Sequence, residues 1–114
     1  MRTKGRLVAT EVAIELAKVL APMLVELKAK NRDLADQAKR AVTSVALNLA
    51  EGERSLGGNR RKHFWIAAGS RNELETALRM ANALGELSDE ALARAWPLLD
   101  RLGGLVWGLT HPRE

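Results

Sequence analysis

Apolar residues recur at steps of three and four along nearly the whole chain, and runs that alternate apolar with polar positions are almost absent. That period predicts an all-helical protein. Val8, Val12, Leu16, Val19, Leu20, Met23 and Leu27 form the stripe of a first helix over about residues 6–30. Pro22 lies inside it, removing one backbone donor and pressing on the carbonyl of Lys18, so a kink or break is expected there, or else two shorter helices. A second helix is predicted from an Asp33 N-cap to about Glu53, with Leu34, Ala38, Ala41, Val42, Val45 and Leu49 on one side. The glycine-rich segment SLGGN at 55–59 marks a turn, and Asn59 is the candidate cap of a third helix that reaches about Leu84. Its stripe is Ala67, Ser70, Leu74, Ala77, Leu78, Ala81 and Leu84, and Gly85 is the expected left-handed stop. Ser88 or Asp89 then caps a fourth helix that runs to just before Pro112, with Leu92, Ala95, Leu99, Leu102, Val106 and Leu109 inward and Pro97 expected to kink it. Four amphipathic helices joined by short turns predict an up-down-up-down four-helix bundle occupying residues 1–114 as a single domain.

The apolar surface is wider than one core requires. Leu7, Ile14, Ala21 and Val25 flank the first stripe, and Trp96, Leu98, Leu105 and Trp107 flank the last. A second buried contact is the economical use for such an arc, so self-association is expected, with Ile14, Trp96 and Trp107 in the interface. Trp65 is out of phase with Ala67. It either stacks on a base or fills a subunit interface, and the apolar surplus favours the interface.

Composition narrows the chemistry. The chain has 114 residues and no cysteine, which excludes a disulfide scaffold and thiolate chemistry and suits a reducing cytoplasm. The basic start resembles a signal peptide, but Glu11, Glu15 and Lys18 interrupt its apolar stretch, and no segment is long enough for a membrane span. His63 and His111 are the only histidines. Neither belongs to the Glu-x-x-His pairs that build metal sites in helical bundles, so no metal, no cofactor and no catalytic residue is expected. The carboxylate pairs Glu11 with Glu15 and Asp33 with Asp36 read as a solvated face and an N-terminal turn.

Charge supplies the one pronounced signal. There are 18 Lys plus Arg against 14 Asp plus Glu, a formal net charge of +4. Arg60, Arg61, Lys62 and His63 open the third helix, where the macrodipole favours carboxylates instead, and no acidic residue intervenes between Arg54 and Arg71. In the predicted bundle the second turn and both termini share one end, which gathers Arg2, Lys4, Arg6, Arg54, Arg60, Arg61, Lys62 and Arg113. A patch of this kind meets the requirement of sequence-independent nucleic-acid binding, in which phosphate neutralisation supplies most of the affinity. A protein-interaction scaffold without nucleic-acid binding is the alternative.

Gln37, Arg40, Ala41, Ser44, Asn48, Ala50, Glu51, Gly52 and Arg54, followed by Ala67, Gly69, Ser70, Glu73 and Leu74, form an ordered pattern over about half the chain. It closely resembles the four-helix-bundle family named for reading frames inside 23S ribosomal RNA intervening sequences. That family is similar in turn to the basic accessory protein of diversity-generating retroelements. The resemblance implies a homo-oligomer, pentameric by that likeness, that binds RNA or DNA and, in a retroelement setting, a reverse transcriptase. The same residues also have a physical role. Arg40, Ser44, Asn48 and Glu51 recur on one side of the second helix, and folding the chain about residue 57 sets Ser44 near Ser70 and Arg40 near Glu73. This predicts a structural seam: Gly69 and Ser70 admit a close backbone approach, an Arg40–Glu73 pair fixes the register, and Asn48 and Glu51 brace the turn by bonding its free amides.

Overall fold

A computed structural model describes residues 7–113. It contains five helices: α1 (Val8–Lys30), α2 (Arg32–Arg54), α3 (Gly57–Ala83), the single turn α4 (Asp89–Leu92) and α5 (Ala95–Thr110). No strand occurs among the described residues. The most extensive contact is between α2 and α3; α1 packs on α2 and on α5, and α5 also packs on α3. No helix among the described residues is long and apolar enough to cross a membrane.

The helix boundaries follow from local chemistry. Asn31, not Asp33, joins the first two helices. Its backbone N–H closes α1 on the Leu27 carbonyl at 2.7 Å, and its side-chain oxygen accepts from Leu34 N–H at 3.1 Å to open α2. Its amide nitrogen donates to Glu86 at 2.9 Å, tying this junction to the loop after α3. Gly85 does stop α3, with φ of 74°. The N–H of Gly85 reaches Asn82 O at 3.0 Å and that of Glu86 reaches Ala81 O at 2.8 Å, the paired bonds of a Schellman end. Ser88 caps α4 by accepting from Ala91 N–H at 3.0 Å.

The two prolines inside the predicted helices differ in effect. The helix α1 continues through Pro22, which lies on its exposed side, where water can serve the freed Lys18 carbonyl. Pro97 instead stops a helix. Its ring opposes the carbonyl four residues back, that of Ala93, and although Ala93 and Arg94 keep right-handed helical dihedrals, they fall outside both helices, so the expected fourth helix is divided into α4 and α5. Asn59 caps nothing: α3 begins two residues earlier at Gly57, after a Leu56 that offers no side-chain cap.

One core holds Leu16, Leu20 and Leu27 of α1, Val45 and Leu49 of α2, Leu74 and Leu78 of α3, and Leu99, Leu102 and Val106 of α5. Val8 and Leu84, expected inside, lie at helix ends and are 53% and 55% exposed. Leu87 from the following loop is buried beside the end of α3, and Phe64 is buried near its start. Leu98, Leu105 and Trp96 lie half-buried against this core, which absorbs most of the second arc of the last helix. Ile14, Val25 and Trp107 remain exposed.

Candidate nucleic-acid interface

The cations of the α2–α3 junction divide into two kinds. Arg60 is half-buried and donates from Nη1 to the carbonyls of Gly52 and Glu53, both at 3.2 Å, while its guanidinium lies 5.0 Å from the centroid of the Phe64 ring. It therefore satisfies the carbonyl end of α2, where a cation is favoured by the dipole. A residue that opposes the dipole of its own helix thus complements that of its neighbour. His63 also turns inward: its Nδ1 lies 2.9 Å from the side-chain oxygen of Asn48. Because that oxygen can only accept, Nδ1 carries the proton.

Arg61 and Lys62 are exposed, as is Arg113 beyond α5. Arg54 is exposed too and pairs with Glu51 at 3.2 Å, so Glu51 braces no amide of the turn. The backbone N–H groups at the start of α3 receive no side-chain cap, and no acidic residue stands in its first turn. Arg2, Lys4 and Arg6, assigned to the same end from the sequence, lie outside the described residues.

The seam forms, with different partners from those expected. Ser44 Oγ and Ser70 Oγ are 2.7 Å apart, as the fold-back about residue 57 requires. Asn48 donates to the Ser44 carbonyl at 3.0 Å and to Ser44 Oγ at 3.2 Å, so His63, Asn48, Ser44 and Ser70 form one polar chain between α2 and α3. Arg40 and Glu73 make no ion pair among the described residues, and both are exposed. The buried positions at that level are Ala41 and Leu74, which leave the long charged side chains on the outer flanks, where a surface pair contributes little. Gly69 is exposed, with space around it. The close approach is made at Gly52 instead, where an added Cβ would stand 2.5 Å from Phe64 Cε1.

Two features were missed in the sequence. Arg71 pins α3 to α5 by donating from Nε and Nη2 to the Leu99 carbonyl at 3.2 and 3.0 Å, and it pairs with Glu75 at 2.7 Å. Only the Arg71–Glu75 spacing signals any of this. The second is an aromatic cluster at the end of α5. His111 stacks on Trp107, with ring centroids 4.2 Å apart and planes 11° from parallel, and it meets Trp65 of α3 at 5.5 Å and 63°. The end of α5 thereby lies beside the first turns of α3. Trp96, placed with these tryptophans in an interface from the sequence, is half-buried near the other end of α5.

No group of three or more potential metal ligands occurs among the described residues. The family described as 23S rRNA-intervening sequence protein matches residues 6–108. The chain belongs to that family. No curated protein and no solved structure matches it. Within the chain, the pattern residues Ser44, Asn48 and Ser70 build the α2–α3 seam, Gly52 admits Phe64, and Gln37, Arg40 and Glu73 face solvent.

Proposed function

We propose that this protein is a non-enzymatic, cytoplasmic homo-oligomer that binds RNA or DNA through its cationic end, with little regard to sequence. The observation that carries the proposal is the division of the basic run: Arg60 and His63 are taken up by the fold, whereas Arg61 and Lys62 stand exposed beside an uncapped helix start. Free cations spaced along a helix suit phosphates, and they carry no pattern of base-edge donors that would read sequence.

The same proposal takes the four long helices as an up-down-up-down bundle. The cyclic contacts α1–α2–α3–α5–α1 support it, as do the Asn31–Glu86 bond joining two turns at one end and the Trp65–His111 contact at the other. In this arrangement the α2–α3 junction and the C-terminus present their cations together.

Self-association is supported by Ile14, Ala21 and Val25, which share one exposed side of α1. Ala21 and Val25 line a groove of about 400 Å³ walled also by Leu24 of α1 and Val42 of α2. The same surface would serve a protein scaffold that binds no nucleic acid.

A titration of labelled RNA and DNA against the protein at several salt concentrations tests the proposal. The logarithm of the affinity should fall with the logarithm of salt by about 0.9 per phosphate contact on duplex DNA and about 0.7 on single strands. Changing Arg61 and Lys62 to Gln should flatten that slope. Undetectable binding at low salt would leave the scaffold as the better account.

A further inference from the structure

We infer that Trp65, Trp107 and His111 form a stacking platform for the unpaired bases of a single-stranded nucleic acid, a proposal that rests on the nucleic-acid reading above. Trp65 is 52% exposed and Trp107 62% exposed. Large apolar rings held in water, two of them on one surface, are costly unless something covers them. The imidazole among them is also held in place. His111 Nδ1 lies 3.0 Å from the Trp107 carbonyl, which can only accept, so an Nδ1–H bond fixes the imidazole parallel to the indole of the same residue.

Beside these rings runs an open groove of about 410 Å³ between α3 and α5. Ala68 lines it with a small side chain, the Arg71 guanidinium occupies the space over Gly103, and Asn72 and Thr110 add polar groups to the lining. Arg71 also lines the groove, but its guanidinium is engaged with Leu99 and Glu75 and its side chain is only 13% exposed, so it forms wall rather than a phosphate contact.

Charge selects the occupant. Arg61 and Lys62 stand about one turn before Trp65 on α3, and Arg113 follows His111 by two residues; all three are exposed. The lining carboxylate, Asp100, sits about two turns of α5 from Trp107, away from those cations. Cations beside exposed aromatic faces match a strand whose phosphates and bases are both accessible. In a duplex the bases stack on one another and present only their edges, so a planar side chain finds a face to cover in a single strand or a loop.

Fluorescence anisotropy of a labelled oligothymidylate and of a hairpin duplex with the same number of phosphates tests this, using the full chain at several low salt concentrations. The single strand should bind more tightly. Trp65→Ala and Trp107→Ala should each weaken single-strand binding on the order of 10- to 100-fold, the range expected for losing one stacked base, with little effect on the duplex. Trp65→Phe should keep most of the affinity, and the salt slope should not change in any of these variants. Unlabelled oligothymidylate should quench tryptophan emission, and a Trp65→Phe/Trp107→Phe variant, left with Trp96 near the far end of α5, should lose that response.

Several results would overturn the platform: unchanged affinity in the alanine variants, equal losses on duplex and single strand, or quenching that persists in the double phenylalanine variant. A fall in light-scattering mass on changing Trp65 or Trp107 would also overturn it, by assigning the surface to a second copy of the chain. Should an alanine variant fail to fold, the phenylalanine variants and the quenching decide the matter. Salt-sensitive binding that ignores both tryptophans defeats the platform alone, whereas no binding by the unaltered protein defeats the broader proposal with it.

Discussion

The guanidinium of Arg71 donates twice to the main-chain carbonyl of Leu99, fastening α3 to α5. Gly103 makes this possible, because a Cβ there would lie 2.9 Å from Arg71 Nε. Arg71→Ala should cost about 2–3 kcal/mol, the range for charged hydrogen bonds lost at a mostly buried site. Gly103→Ala should destabilise by displacing the same group, yet be nearly harmless in the Arg71→Ala background. Urea denaturation of the two single variants and the double variant checks this; additive losses would show the two sites to be independent. Arg40→Ala and Arg94→Ala, both at exposed positions, should stay within about 0.5 kcal/mol of the parent.

Gly52 and Gly69 should respond to alanine with opposite signs. At Gly52 the methyl group meets the buried Phe64 ring, and overpacking of this kind costs about 1–3 kcal/mol, more than the helix propensity it gains. At Gly69 nothing lies within 4 Å, so alanine should stabilise by up to about 1 kcal/mol. Thermal melts of the two variants decide between them.

Thr10 is buried, and its hydroxyl has no hydrogen-bond partner among the described residues. Valine has nearly the same shape without the polar atom. Thr10→Val should therefore stabilise by about 1 kcal/mol, since an unsatisfied buried hydroxyl carries a desolvation penalty of that order. A lower denaturation midpoint in the variant would mean that the hydroxyl is served in solution.

Neighbouring arginines should separate stability from binding. Arg60→Gln removes the bonds to the Gly52 and Glu53 carbonyls and the contact with Phe64, and should cost about 1 kcal/mol. Arg61→Gln should leave the melting temperature within about a degree or two, given the small effect of most exposed substitutions, while it weakens nucleic-acid binding. Melts and titrations on the same two proteins test the contrast.

What could be read from the sequence was what depends on short range or on period. Gly85 and Ser88 act locally, and the Ser44–Ser70 contact follows from the register of two helices folded about one turn. Arg40 and Glu73 satisfy the same register and still do not pair, because register sets height along a seam and not the angle at which a long side chain leaves it. Arg60 posed a different difficulty. Its sequence position assigns it to the start of α3, while its guanidinium reaches across to the end of α2, and helical periodicity carries no information about that reach. The Arg71–Leu99 bond ends on a backbone carbonyl, a group every residue possesses and no sequence pattern marks. The aromatic cluster needed two helices brought side by side, and Trp65 and Trp107 are 42 positions apart in the chain.

At Asn31 the two helices meet with no slack. A single residue separates α1 from α2, and its backbone N–H, backbone carbonyl, side-chain oxygen and side-chain nitrogen are each engaged, the last by Glu86 of the distant loop. A joint this short acts as a clamp, so helices that loosen must swing from it like the arms of tongs, with the widest excursion at the far tip. That tip carries the Ser55–Leu56 turn and the last turn of α5. Amide exchange should accordingly run slowest in the half of α1 and α2 nearest Asn31 and quicken toward Gly52 and Thr110. The fold should thus be stiffest beside Asn31 and most compliant at the end that carries the exposed Arg61 and Lys62.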